Sequence, residues 1–455
     1  MDLMGHCSTI SRLRSLEMDP LVSRRAPHPL RSRLLELKSP DDFSRTFRGH
    51  ESLPTPPIAT AFSTQALGGC LLGIADEEGQ VTLLDSRKKF GNLDSADSSG
   101  VDGKYAHTYE IHRNAIFDFM WLYDDLSFAT VSGDGSAKIT AVRDGEALGT
   151  LVGHSGSVKS IRSMPMNPHT LSTAGRDGNI MIWDLRVHQE RVLKPVVRVQ
   201  GAHAFDSRDL AKRKQRSVNP ASASSVTALT FLNEETLLSG GAADGRVLAW
   251  DLRNISSGHA FELNPRGGGN TDNFGVSSLD IDPCGRRVLA GTTDSKIFIF
   301  SSSSLDEGTQ RTLGGHLSRS FYVKATFDPT GDMVLSGSDD SRAYIWDLSL
   351  PSKQNVVEQN YLTLEGHYGG EVSDVSWCRT DCTTIATACD DCTVRVWKAD
   401  HEEPCRASAR LNQRASQDGM EVDTPSVPSR ACQQRQTTIT SFFSPGRDNR
   451  VMHVK

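Results

Sequence analysis

An all-β ring of seven four-stranded blades, a β-propeller, is the fold class this sequence predicts, and three observations predict it. One phrase recurs along the chain: GRDGNIMIWDLR (175–186), AADGRVLAWDLR (242–253), SDDSRAYIWDL (338–348) and CDDCTVRVW (389–397), each with an Asp six residues before its Trp. A Gly-His pair lies upstream of three of them, with His154, His316 and His367 placed 29, 30 and 30 residues before Trp183, Trp346 and Trp397, the length of one blade. Apolar residues alternate before the Trp, as at Ile180 and Ile182 or Val394 and Val396, so that one face of each strand meets the next blade.

Weaker copies complete the count: EEGQVTLL (77–84) after Gly49-His50, GDGSAKIT (133–140) after His112, and TDSKIFIF (293–300). The DG, DS and DC pairs serve the tight turn into the third strand. In full copies the polar residues form one set per blade: His154, Thr173, Asp177 and Trp183; His316, Ser336, Asp340 and Trp346; His367, Thr387, Asp391 and Trp397. Each set reads as a buried hydrogen-bond network that fixes the strands. Thr140 and Phe300 stand where Trp is usual, so looser outer packing is expected in the second and fifth blades. His203 lies 47 residues before Trp250, which implies an inserted surface loop within 204–223.

The ring then takes residues 49–400, leaving an arm (1–48) and a tail (401–455). The arm has apolar residues at helical spacing in ISRLRSLE (10–17) and PLRSRLLELK (29–38), and reads as a short helical arm whose Leu30, Leu34, Leu35 and Leu37 either dock in a partner's groove or pack under the ring. The tail is rich in Ser, Arg, Gln and Pro with few aliphatics, and reads as disordered.

With 50 Lys+Arg against 56 Asp+Glu the net charge is −6, which argues against coating nucleic acid through bulk charge. The arm and tail together carry +5 and the body −11. No stretch is long and apolar enough to span a membrane, and the first residues lack the apolar core of a signal peptide, so a soluble intracellular protein with free thiols is expected.

His, Asp and Ser recurring together superficially resemble a hydrolase site, yet the set repeats in three blades at fixed spacing to a Trp, whereas a catalytic triad occurs once beside an oxyanion site. Cys389 and Cys392, with Cys378 and Cys382 nearby, have zinc-like spacing, but the register sends neighbouring side chains to opposite faces, and buried free thiols are the default. No metal or cofactor is expected. Arg186 and Arg253 follow their Asp184 and Asp251 by two residues, and Arg87 and Arg143 hold the same place; on successive blades such arginines would line one rim, where a planar fork can reach a partner's carboxylates. The insertion carries Lys212, Arg213, Lys214 and Arg216, which read as a nuclear-import signal, an anion patch in weak contact with DNA, or a solvated loop. In the tail, QTTITSFF sets Gln436, Ile439, Phe442 and Phe443 so that one tight turn gathers an apolar plug, and adjacent phenylalanines there need a partner to bury them.

The periodicity, with its GH and WD dipeptides, resembles the WD-repeat family over roughly residues 49–400. The WD-x-Arg pairs resemble those of substrate receptors of cullin-4 ubiquitin ligases, which implies that Trp183, Asp184 and Arg186, and Trp250, Asp251 and Arg253, meet the ligase adaptor, the large subunit of the damage-specific DNA-binding protein. Residues 436–443 resemble the PCNA-interacting peptide, or PIP box, which binds the sliding clamp PCNA. Thr440 and Arg447 add features of the PIP degron, although Ser441 stands where that degron has Asp. With HRNAIFDFMW (112–121) and SFYVKATFDPTGDMVLSGSDDSRAYIW (320–346), the whole resembles the denticleless family. That resemblance implies a nuclear, chromatin-associated, non-catalytic receptor that delivers PCNA-bound proteins such as the replication-licensing factor to ubiquitination in S phase and after DNA damage. The rival reading is a non-ligase WD scaffold recruited to the clamp in replication or chromatin assembly. Thr424 and Ser444 are Pro-directed phosphorylation candidates, and phosphate on Ser444 would place charge beside the plug.

Overall fold

A computed structural model describes residues 34, 37–39, 44–47, 53–88, 106–186, 191–204, 225–263, 265, 274–351 and 356–399. The expected basic insertion residues (Lys212, Arg213, Lys214, Arg216) and the tail with Gln436, Ile439, Phe442, Phe443 and Arg447 lie outside them.

Seven sheets follow one another along the described chain, antiparallel except for a parallel outer strand at Val192–Leu193 and another at Val357–Glu358, and their first strands stand side by side around a central channel. We letter the strands of each blade a to d outward from that channel. The a strands are Pro57–Phe62, Ile116–Trp121, Val158–Met164, Val226–Phe231, Val276–Ile281, Ala325–Phe327 and Val372–Trp377, in blades 1 to 7. The c strands, which carry the recurring phrase, include Gln80–Asp85, Ile180–Asp184, Val247–Asp251, Arg342–Asp347 and Thr393–Ala399.

Because side chains alternate along each strand, every blade buries both faces. The apolar core is accordingly seven wedges, one at each blade junction. Blade 3 meets blade 4 through Ile180, Ile182, Leu229 and Trp250, and blade 5 meets blade 6 through Ile297, Ile299, Phe327 and Trp346. Thr140 and Phe300, which stand where Trp is usual, are 1% and 0% exposed, so neither substitution opens its position to solvent. At Thr140 the hydroxyl is buried without a partner.

The turn from strand b to strand c needs one left-handed residue, and it falls at the same place in all seven blades: Gly79, Gly135, Gly178, Gly245, Ser295, Ser341 and Cys392, with φ between 63° and 89°. The residue before it is Asp in six cases, and in blades 2, 3, 4 and 7 that Asp accepts a backbone N–H of the turn, as Asp177 Oδ1 does from Asn179 at 3.1 Å. Cys392 is therefore a turn residue, and its strand starts at Thr393.

Blade 7 is completed from the other end of the sequence. Ser44–Thr46 pairs with Thr393–Arg395, and Leu37–Lys38 pairs with Lys398–Ala399. Leu34 is fully buried among Leu335, Ile345, Trp377 and Trp397 between blades 6 and 7. Phe47 is buried with Phe62, Leu72 and Val394 between blades 7 and 1. Of the four leucines read as a helical arm, Leu37 lies in a strand and Leu34 is packed inside the ring, whereas Leu30 and Leu35 lie outside the described residues. At Leu37 helical spacing misleads, because a short outer strand takes its conformation from the strand it pairs with.

Inside the channel, acidic residues of strand a hold the next blade. Asp118 Oδ2 accepts the N–H of Ile161 at 3.0 Å, Asp280 Oδ2 that of Phe327 at 2.8 Å, and Asp374 Oδ2 that of Thr60 at 2.5 Å across the closing seam. Burial pushes the Asp374 carboxyl up to about 6. Asp118 is held low despite burial, since Arg162 Nη1 lies 2.5 Å away.

Candidate protein-docking face

The repeat residues sort by strand direction onto two faces. Turns from d to a and from b to c lie on one face; turns from a to b and from c to d lie on the other. The histidine networks occupy the first. His154 Nδ1 is 3.0 Å from Asp177, its Nε2 is 2.8 Å from Thr173 Oγ1, and Trp183 Nε1 donates to the same hydroxyl at 2.9 Å. His367 joins Asp391 and Thr387, and Trp397 Nε1 donates to Thr387 Oγ1 at 2.9 Å. Burial opposes ionisation, but the hydrogen bond from His154 holds the Asp177 carboxyl down at about 2.

Two further networks escaped the sequence reading. His203 reaches Asp244 (2.7 Å) and Ser239 (2.8 Å), with Trp250 Nε1 on Ser239 at 2.9 Å. His112 reaches Asp134 and Thr130 without any Trp. The insertion hid the first by breaking the spacing of His203 to Trp250, although Asp244 kept its own distance to that Trp.

The set expected around His316 does not close. Tyr344 donates its hydroxyl to Asp340 Oδ2 at 2.6 Å, Trp346 Nε1 turns to the Gly314 carbonyl at 3.1 Å, and Ser336 Oγ donates to Gly337. His316 Nδ1 and Asp340 Oδ1 are left buried without partners. The cause is Tyr344, which stands where blades 3, 4 and 7 place Met181, Leu248 and Arg395 and captures the carboxylate. Burial drives His316 down to about 4, so it packs edge-on against Trp346 as an uncharged ring.

Among the described residues, His367, Cys389 and Asp391 come close enough to share an ion. Both ring nitrogens of His367 are already engaged, and burial raises the Cys389 thiol to about 12. The donor set is the blade's own network and does not suit a metal.

The other face carries the arginines. Arg186 lies just beyond strand c of blade 3 and turns back on Asp184: its backbone N–H donates to Oδ1 at 2.9 Å, Nε to Oδ1 at 3.0 Å and Nη2 to Oδ2 at 2.8 Å. Arg253 grips Asp251 in the same way at 3.0, 3.1 and 3.1 Å, and Arg87 grips Asp85 at 3.1, 2.9 and 2.9 Å. Arg143 follows Ala141 and has no such acid. The same pairing lowers the Asp184 carboxyl to about 2.

The fork expected to reach a partner's carboxylate is thus occupied from within. What each clamp offers outward is the remaining Nη1 edge and the exposed stem; in blade 4 Nη1 also meets Glu235 at 3.0 Å. Trp183 and Trp250, grouped with these arginines from the sequence, are 1% and 3% exposed and cannot touch a partner.

Three large apolar side chains stand on the same face in the a-to-b turns: Tyr123 and Leu126 of blade 2, and Met166 of blade 3, the last 81% exposed. Nothing in the repeat pattern marked them; the signal was apolar residues inside the turns WLYDDLSF and SMPMNPHT. The chain also enters blade 7 at Leu37 and leaves it at Ala399 on this face, where Lys398 Nζ donates to the Ser86 carbonyl beside the blade 1 clamp. Ion-paired arginines and exposed apolar side chains thus share one face, which makes it the candidate surface for docking a protein.

The family model of the WD domain, G-beta repeat matches residues 145–184, 266–301, 308–347 and 358–398. The chain is 35% identical over 382 residues to denticleless protein homolog A of Xenopus laevis, covering 81% of this chain and 51% of that one. It is 34% identical over 386 residues to the denticleless protein homolog of Homo sapiens (82% and 50%), and 32% identical over 360 residues to protein lethal(2)denticleless of Drosophila melanogaster (76% and 45%). The chain spans about half the length of the curated relatives it matches. With seven blades built on this repeat, the chain is a WD-repeat propeller that belongs to the denticleless family.

Proposed function

We propose that this chain is the substrate-recognition subunit of a cullin-4 RING ubiquitin ligase, acting in the nucleus on proteins bound to PCNA. The observation that carries this reading is the repeated Asp-x-Arg clamp on blades 3 and 4, with a further copy on blade 1, exposed on a face that also presents Tyr123, Leu126 and Met166. Each clamp fixes a long side chain in advance, so little rotamer entropy is lost when a partner docks on it. The ligase adaptor, the large subunit of the damage-specific DNA-binding protein, would sit on this face. The last described residue, Ala399, lies on the same side; in this reading Gln436, Ile439, Phe442 and Phe443 engage PCNA while the opposite face and channel mouth stay open to substrate.

In this role the chain works by proximity and contributes no reacting group. Its recurrent His and Asp side chains hold strands together, which supports a receptor or scaffold and gives no support to hydrolysis.

Co-purification of the adaptor with wild-type chain and with the Arg186→Ala, Arg253→Ala double variant tests the reading. Both arginines are exposed, so the variant should keep its fold and lose the adaptor. Failure of the wild type to retain the adaptor would leave a clamp-associated scaffold in its place. Clamp binding is tested separately by the Phe442→Ala, Phe443→Ala variant, expected to abolish retention on PCNA.

A further inference from the structure

On the face opposite the arginine clamps, a cavity of about 230 Å³ opens at the mouth of the channel. Its walls include Phe117 of blade 2, Lys159 and Arg176 of blade 3, Thr227 of blade 4, and Tyr322 and Lys324 at the entry to blade 6. Tyr322 reaches across the mouth to stack on Phe117, with ring centres 6.0 Å apart and planes 21° from parallel. Lys159 Nζ lies 3.1 Å from the centre of the Phe117 ring and 5.5 Å from that of Tyr322.

Three cations therefore converge on one aromatic-walled space. Lys324 faces Asp118 and Asp374 deeper in the channel. Lys159 and Arg176 have no carboxylate partner among the described residues. Burial, Lys324 and Arg176 together press the Lys159 ammonium down to about 8. Like charges gathered beside low-dielectric walls repel one another, and an incoming anion relieves that repulsion. Glu77 of blade 1 and Glu371 and Asp390 of blade 7 also act on Tyr322, so the acidic groups come from blades 1 and 7 and the basic pair, Lys159 and Arg176, from blade 3.

We propose that this mouth binds a protein segment through an acidic side chain seated between Lys159 and Arg176, with a neighbouring apolar residue against Phe117 and Tyr322. The volume decides the scale of the ligand: typical small-molecule sites run from roughly 300 to 1,000 Å³, so this space takes one or two side chains and no nucleotide cofactor. Phe321 and Tyr322 are 38% and 43% exposed, giving the segment an apolar ledge at the rim. The site uses none of the clamp-face residues, so it stands or falls apart from the ligase assignment.

The test is fluorescence anisotropy on the full chain with two fluorescein-labelled octapeptides, Gly-Ser-Phe-Glu-Glu-Phe-Ser-Gly and its Gln-for-Glu counterpart. The acidic peptide should bind saturably and at least about tenfold more tightly than its neutral twin, the ratio expected for one charge-assisted contact. Lys159→Met, which keeps the chain length over Phe117, and Arg176→Glu, at an exposed position, should each lower that affinity about tenfold with an unchanged unfolding midpoint. Equal binding of the two peptides, binding of neither, or binding indifferent to both substitutions would overturn the proposal. Displacement of the acidic peptide by a single-stranded oligonucleotide at equal concentration would overturn it in favour of a nucleic-acid site.

Discussion

Leu34 is the residue through which the completion of blade 7 is most sharply tested. It lies only three residues before the outer strand Leu37–Lys38, is 0% exposed, and sits among Leu335, Ile345, Trp377 and Trp397, whose own positions are fixed by two sheets. Truncating a buried Leu to Ala costs about 2–5 kcal/mol, and the upper part of that range applies where the surroundings cannot collapse into the void. Hydrogen-bonded strands on both sides of this wedge cannot, so Leu34→Ala should cost about 3–4 kcal/mol. Against a typical total of about 5–15 kcal/mol that is a large fraction. Urea unfolding followed by tryptophan fluorescence measures it, with Trp397 in the same cluster as a direct reporter. Phe47→Ala should behave alike at the junction with blade 1, while Leu53→Ala, 59% exposed, should stay within about 0.5 kcal/mol. If Leu34→Ala unfolds at the wild-type midpoint and only weakens partner binding, the residue is a docking side chain and the closure argued here is wrong.

A double-mutant cycle on His203 and Asp244 should return a coupling above about 1 kcal/mol, whereas one on His316 and Asp340 should stay below about 0.5 kcal/mol, since only the first pair is hydrogen bonded. Equal couplings would contradict the open network in blade 6. Cys392→Gly should stabilise the ring by about 0.5–1 kcal/mol, because a left-handed φ of 65° strains any residue with a Cβ; a loss in denaturant midpoint would refute this. His316 stays neutral in the fold down to about pH 4 but takes up a proton near pH 6.5 when unfolded. Its contribution is therefore fully present above pH 6.5 and is lost as the pH falls towards 4. Relative to His316→Gln, the wild type should lose on the order of 2 kcal/mol between pH 7.5 and 4.5, and parallel stability curves for the two proteins would exclude it.

The blade count, the strand carrying each recurring phrase and the turn at each Asp pair were all legible in the sequence. They depend on short-range rules: alternation along a strand, a left-handed residue after Asp, and a fixed distance from that Asp to its Trp. The partners of those residues were less legible. Asp177 and Asp340 stand at the same distance from their Trp, yet Tyr344 takes Asp340 away from His316, and no rule of spacing foresees a rival donor four residues along the strand. Arg186 and Arg253 were visible as a repeated pair, but their forks are closed by Asp184 and Asp251, a contact that depends on how the chain turns after strand c.

Only the tertiary structure decided how the ring shuts and what its channel mouth contains. Leu34 and Leu37 look like part of an amphipathic arm when read in sequence; Leu37 joins blade 7 because an open strand more than 340 residues away leaves its backbone groups to be paired, and Leu34 is buried beside it. Phe117, Lys159 and Tyr322 are unremarkable positions in three separate blades. They make one site because closing the ring carries the entry loop of blade 6 across to blade 2, a juxtaposition set by curvature and blade number and by nothing local to any of the three.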